Sequence, residues 1–310
     1  MSLSGWALAL ASAAVQADAD GPGLPLDRPS VALTQNTYDL YTVEVTLGRQ
    51  LLFSGDPAAD PVPFIFDTGA NTTAVPRMIA MQLLAGEDLA MDRIGHGMTS
   101  QFATDLFYVD EVDFGFGVQT LEMAVIDQAY GSVLSAAGIL GSNAFGDEII
   151  IADFPRQQLV VSGADAVRPD LRFDHSTGLV TGQARVRGID APVRVMIDTG
   201  AAASLINPAL AALRRGSTQR SEAEISGVAE GVTQTAEQRR FFGGLTLGGL
   251  CMGPFWITVA DVYAFEARGW ENEPAIILGM DALGDARLTI DYGGGAVALD
   301  GVTDHVCRAR

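Results

Sequence analysis

The stretch Phe64-Ile65-Phe66-Asp67-Thr68-Gly69-Ala70 decides the fold, because it returns as Val195-Met196-Ile197-Asp198-Thr199-Gly200-Ala201, 198 − 67 = 131 residues further on. In each copy three consecutive apolar residues precede the aspartate, so each carboxylate is placed at the end of a buried strand. An isolated charge there is costly, and each carboxylate needs a partner. Gly69 and Gly200 permit a sharp turn with the backbone close to another segment, and Thr68 and Thr199 offer short hydroxyls.

A second landmark repeats in the same order. Gly138-Ile139-Leu140-Gly141 recurs as Ile276-Ile277-Leu278-Gly279, with 278 − 140 = 138. Each is followed by Gly-Asp (Gly146-Asp147; Gly284-Asp285) and then by an apolar run ending in Asp and an aromatic (Asp153-Phe154; Asp291-Tyr292). The chain therefore reads as two lobes, 38–163 and 174–302, joined by a polar, Pro-containing stretch over 162–175. Residues 18–37, rich in Gly, Pro and Asp, read as an extended leader, and 303–310 as a tail.

Within each lobe the pattern is mainly strand. Tyr41 to Leu47 alternates with period two, as do Val180 to Val186 and Leu288 to Tyr292. The 35 glycines fit many turns and close backbone approaches. Short helices are expected after each Asp-Thr-Gly. Pro76 to Leu84 has apolar residues at helical spacing, and Asn207-Pro208 before Ala209 to Arg214 supplies an N-cap, a first-position proline and a basic end. The expected fold is all-β and bilobed, with minor helix.

Composition narrows the chemistry. Apolar residues make up 48% and charged residues 18% of the 310, which excludes global disorder. All 19 basic residues are Arg, so a Schiff-base, P-loop or pyridoxal lysine is excluded. Three histidines (His96, His175, His305) and two cysteines (Cys251, Cys307), far apart in sequence, do not assemble a Cys/His zinc cluster, so neither a metal nor a cofactor is expected. The two cysteines pair or remain free thiols; the sequence leaves both open. A net charge of −19 with no basic run argues against a nucleic-acid partner. No Gly-x-Ser-x-Gly occurs, which disfavours a serine hydrolase. The 38 acidic residues make carboxylates the readiest catalytic groups.

Trp6 to Val15 form an apolar run followed by Val15-Gln16-Ala17, similar to the cleavage pattern of a secretory signal over 1–17. The first basic residue is only Arg28. The expected location is periplasmic or extracellular; without cleavage it is the cytoplasm. The apolar run is shorter than the ~20 residues of a spanning helix.

If a pseudo-twofold axis relates the lobes, the two Asp-Thr-Gly turns meet on it and the carboxyls face each other. Like charges that close cannot both ionise, so the pair shares one proton, and one member serves as base while the other serves as acid. These residues resemble the aspartic proteases, and within them the retropepsin-like bacterial group with two lobes fused in one chain. The resemblance spans roughly 38–300. It implies that Asp67 and Asp198 are the catalytic pair, that Thr68 and Thr199 brace the turns across the axis, and that Leu140-Gly141 and Leu278-Gly279 close the core loop behind each aspartate. The family's flaps would match Gly95-His96-Gly97 and Ser226-Gly227-Val228, which lie at 95 − 67 = 28 and 227 − 198 = 29 residues from the aspartates.

Two departures stand out. Retroviral members carry an acidic residue after the Ala and an Arg after the Leu-Gly. Here Asn71 and Ala202, Ser142 and Met280 occupy those positions, so another brace is needed. Ala70 and Ala201 also lack the hydroxyl that donates to the ionised carboxylate in pepsin-like sequences, which should raise the pair's apparent pKa values and give a weakly acidic optimum. Met98, Phe102, Trp256 and Trp270 are candidates for specificity pockets or for core. The resemblance implies an aspartic endopeptidase acting on a peptide or protein substrate, with a monomer sufficient. The alternative is a non-catalytic peptide-binding or scaffold protein that keeps the fold.

Overall fold

The computed structural model describes residues 29–48, 61–84, 91–126, 136–162, 167, 169–213, 220–226, 233–241, 244–253 and 255–301. It is mostly strand with a few short helices. The first apolar run forms the strand Val62–Phe66, and Phe64, Ile65 and Phe66 are all buried. It pairs antiparallel with Tyr41–Leu47 on one side and parallel with Gly138–Leu140 on the other. Gly138–Leu140 in turn pairs antiparallel with Thr73–Pro76, which runs parallel to Val118–Ile126. A strand covered on both faces has no solvent side, so its residues read as a continuous apolar run instead of alternating.

The second apolar run repeats this arrangement step by step. Val193–Ile197 pairs antiparallel with Leu179–Val186 and parallel with Ala275–Leu278. Ala275–Leu278 pairs antiparallel with Leu205–Ile206, which runs parallel to Phe255–Val259. Each half thus brackets its Asp-Thr-Gly strand between an antiparallel neighbour and the Ile-Leu strand.

The halves are joined by strands of both. Ile149–Asp153 pairs antiparallel with Arg287–Asp291, with Ile151 opposite Thr289. Those two residues are equivalent by the 138-residue spacing of the second landmark (289 − 151 = 138), so the pairing is reciprocal about them, as a local twofold axis requires. Gln158–Ser162 and Ala296–Asp300 flank this centre. Outside them lie Ser30–Ala32, from the stretch read as leader, and Leu171–Asp174, from the stretch read as linker. Both segments are short strands that complete the sheet the halves share.

Four short α-helices occur among the described residues, α1 (Arg77–Leu83), α2 (Pro208–Leu213), α3 (Tyr263–Glu266) and α4 (Met280–Leu283), with a 3-10 turn at Ser142–Ala144. The first two fall where the sequence places them. In α2 Asn207 Oδ1 accepts the Leu210 N–H at 2.9 Å, the side-chain cap expected from Asn-Pro. Met98 and Trp270 pack against buried apolar residues, whereas Trp256 is exposed. Cys251 is disulfide-bonded, and Cys307 lies outside the described residues. The signal-like segment 1–17 also lies outside them, and no described helix is long and apolar enough to cross a membrane.

Candidate active site

Both aspartates are fixed by the strands that flank them. The Asp67 N–H donates to Leu140 O at 3.1 Å and the Asp198 N–H to Leu278 O at 3.0 Å, so each Leu-Gly pair lies directly behind one aspartate. The chain then turns. Ala70 N–H reaches back to Asp67 O and Ala201 N–H to Asp198 O, each at 3.3 Å.

The two turns are tied to each other through their threonines. Thr68 N–H donates to Thr199 Oγ1 at 3.0 Å, and Thr199 N–H to Thr68 Oγ1 at 3.2 Å. Each hydroxyl donates onward across the axis, Thr68 to Ile197 O at 2.9 Å and Thr199 to Phe66 O at 2.6 Å. Both side chains are buried, and each is satisfied only by the other half.

This closure brings the carboxyls together. Asp67 Oδ1 accepts the Gly69 N–H at 2.7 Å, and Asp198 Oδ1 the Gly200 N–H at 3.0 Å. A Cβ at Gly69 would sit 2.5 Å from the Asp198 carboxylate carbon, and one at Gly200 2.4 Å from that of Asp67. No side chain fits at either position. Each carboxylate thus lies against the other half's glycine turn, and the two act on each other's charge. Burial, and next the charge of Asp198, holds Asp67 well above the usual carboxylate range. Asp198 is also raised by burial, an effect opposed first by the hydrogen bond from Asp67 and then by the Gly200 N–H and the Arg268 guanidinium. Such a pair retains one proton where isolated carboxylates have lost both.

The missing acid–arginine brace has a replacement one residue beyond the expected position. In the first half Asn143 Oδ1 accepts both the N–H and the hydroxyl of Thr73, at 2.7 and 2.9 Å. In the second half Asp281 Oδ1 accepts both the N–H and the hydroxyl of Ser204, at 2.9 and 2.6 Å. The same hydroxyls accept the N–H of Gly141 at 3.2 Å and of Gly279 at 3.0 Å. Ser142 and Met280 contribute through their main chains, donating to Ala70 O and Ala201 O. A Thr or Ser six residues after each aspartate, with Asn or Asp two after each Gly, is the signal that reveals this brace.

Gly95, His96 and Gly97 lie in a hairpin formed by Arg93–His96 and Gln101–Thr104, which form a two-stranded sheet of their own. Its tip crosses to α3 of the other half. His96 Nδ1 and the Tyr263 hydroxyl are 2.6 Å apart with their rings stacked, Gln101 Nε2 donates to the same hydroxyl at 2.8 Å, and Ala264 N–H donates to Met98 O at 3.0 Å. A cavity of about 440 Å³ opens between tip and helix, lined by Thr99, Ser100, Gln101, Asp261, Tyr263 and Glu266. Ser226 ends the strand Arg220–Ser226, which pairs with Thr233–Phe241; Gly227 and Val228, the rest of the second expected flap, lie outside the described residues. No motif marks Tyr263, and only the tertiary fold brings it to the hairpin tip.

Two aspartates on reciprocally braced Asp-Thr-Gly turns define an aspartic-protease type of site in an all-β chain. Residues 182–282, which contain Asp198 and Leu278-Gly279, match the family model described as aspartyl protease, of the retropepsin-like clan, and the match supports a protease function. No curated protein matches the chain.

Proposed function

We propose that the chain is an aspartic endopeptidase that hydrolyses an extended polypeptide bound in a cleft between two lobes, 38–163 and 174–302, using Asp67, Asp198 and a water. The observation that carries this reading is that each glycine turn lies against the other half's carboxylate, on turns locked to each other by Thr68 and Thr199. The ionised carboxylate takes a proton from the water as its oxygen adds to the peptide carbonyl carbon, and the protonated carboxyl donates to the carbonyl oxygen. Collapse of the tetrahedral adduct breaks the C–N bond, and a proton returned from the pair goes to the leaving nitrogen. No covalent enzyme adduct and no cofactor enters. Because both aspartates are in one chain, a monomer suffices. The Arg93–Thr104 hairpin serves as the flap, closing on α3 to exclude water while its main chain holds the peptide. Export is part of the same reading, supported by the apolar run before Ala17 and by the disulfide at Cys251, which fits an oxidising compartment.

The test is cleavage of a mixed peptide library between about pH 3 and 8, read by mass spectrometry, for the wild type, Asp67→Asn and Asp198→Asn. Cleavage is expected for the wild type only, with an optimum above the roughly pH 3 of a pepsin-like pair and a loss of at least ~10³-fold in either variant. Folded protein that binds peptides without cutting them would replace this reading with the scaffold alternative.

A further inference from the structure

The cavity of about 440 Å³ where the hairpin tip meets α3 has walls from both halves: Thr99, Ser100 and Gln101 come from the tip, and Asp261, Tyr263 and Glu266 from α3 and its approach. The hairpin itself spans the space between the two aspartate turns. Phe102 and Ala70, the residue after the first Asp-Thr-Gly, pack against the same buried group of Ala74, Ile126 and Ile139. Met98 packs against a second group that includes Met196, two residues before Asp198, and Ile277, two before Gly279. The cavity therefore opens at the boundary along which a peptide held between the halves would run.

The lining is rich in acceptors. It carries the carboxylates of Asp261 and Glu266, and none of the described lining residues is basic. Arg268, the cation nearest to them in sequence, is not in the lining and donates from Nη1 to Ala264 O at 2.7 Å. Gln101 spends its Nε2 on the Tyr263 hydroxyl at 2.8 Å, which leaves its amide oxygen to accept. The hydroxyl oxygens of Thr99 and Ser100 are buried and have no hydrogen-bond partner. Buried hydroxyls are costly to leave so, and in the wall of an acidic cavity they call for a guest rich in donors.

We propose that this cavity is a specificity subsite that takes a basic side chain of the substrate peptide, arginine ahead of lysine. This rests on the aspartic-protease reading above. A guanidinium offers only N–H donors, in a planar fork that pairs with a carboxylate through parallel hydrogen bonds and has donors left for hydroxyl and amide oxygens. An ammonium has fewer donors and no fork, and an acidic side chain would meet like charge. Volume points the same way: 440 Å³ falls within the ~300–1,000 Å³ of sites that enclose small organic groups, more room than a lone metal ion needs. The net charge of −19 also draws cationic peptides toward the chain. Because the tip supplies half of the lining, arginine binding and closure of the hairpin on α3 favour each other.

Two measurements test it. The first uses peptides identical but for one residue, arginine, lysine, citrulline or glutamate, placed where arginine is enriched among library fragments aligned on the cleaved bond. At about pH 6 kcat/KM should fall in that order, with arginine ahead of citrulline, its uncharged isostere, by about tenfold or more. In the double variant Asp261→Asn with Glu266→Gln the ratio should drop to within about twofold of unity. Both residues are solvent-exposed, so this variant should fold. No enriched position, a ratio near unity in the wild type, or a preference that survives in the double variant would overturn the proposal. The second needs no turnover: calorimetric binding of the arginine and citrulline peptides to Asp67→Asn, with and without the double substitution. Arginine should bind about tenfold more tightly, and the difference should vanish with the carboxylates. Equal binding would overturn the proposal, as would a rise in melting temperature with calcium that needs Asp261 and Glu266 and comes without any arginine preference, which would make the cavity a metal site. Failure of the protease reading looks different: the folded wild type cuts no peptide, or the asparagine variants cut as it does, and the binding measurement then decides the subsite alone.

Discussion

Asp67 and Asp198 are held by the same main-chain bonds and stand in different surroundings. The Thr68 and Thr199 bonds repeat with the positions exchanged, and so do the bonds from each aspartate to Leu140 and Leu278. The side chains around them do not. Asp198 is buried while Asp67 is half-buried, and the shared sheet carries a like contrast, with Asp153 opposite Arg287 while its equivalent Asp291 faces Ile149. Backbone geometry has to be reciprocal for two turns to meet on an axis, whereas catalysis by an acid and a base needs their environments to differ. The chain keeps the symmetry where closure needs it and departs from it in the surroundings.

The largest effects should come from breaking the reciprocal bonds. Thr68→Val leaves Thr199 N–H and Ile197 O buried without partners, and Thr199→Val leaves Thr68 N–H and Phe66 O. Each should cost about 2–4 kcal/mol in denaturant unfolding, with the two losses similar and the double variant well short of their sum. Losses differing severalfold would mean that the brace is not shared equally.

The sheet asymmetry should give a smaller effect with its own pH signature. Asp153 is buried and accepts from Arg287 Nη2 at 2.8 Å and Arg156 Nη1 at 2.7 Å. Burial alone would raise its pKa, but the two arginines outweigh that and hold it below the ordinary value. A carboxyl with a depressed folded-state pKa adds stability above its unfolded value of about 4 and loses it as pH falls through the folded value. Arg287→Met should therefore destabilise by about 1–3 kcal/mol at pH 7, with Arg156 still in place, and the difference from wild type should shrink in melts taken below about pH 4.

Much of this was legible because it is local. Three apolar residues before Asp-Thr-Gly specify a buried strand, and Asn207-Pro208 specifies a helix start from neighbouring residues alone. Ser30–Ala32 and Leu171–Asp174 were not legible as strands, since three or four residues carry too little periodicity and gain their partners only once both halves are folded. The Asn143 and Asp281 braces lie one residue beyond the position at which the retroviral aspartic proteases that the sequence resembles carry an arginine, so the resemblance does not point to them. Tyr263 lies in a one-turn helix without periodicity or motif, and its contact with His96 and Gln101 depends on distances that no local pattern encodes.

The smallest effect tests whether the contact between the Arg93–Thr104 hairpin and α3 belongs to the proposed catalytic cycle. Tyr263→Phe keeps the ring stacked on His96 and removes only the hydroxyl that His96 and Gln101 share. His96 and Gln101 are solvent-exposed, so stability should change by less than about 1 kcal/mol, because water replaces what is lost. Kinetics should separate from stability. If the closed flap holds bound peptide, losing one or two hydrogen bonds of ~0.5–1 kcal/mol should raise KM about 2–5-fold and leave kcat unchanged. A rise in kcat at constant KM would instead mean that the latch must break before product leaves, making its opening the slow step. No change in either would place the contact outside the proposed catalytic cycle.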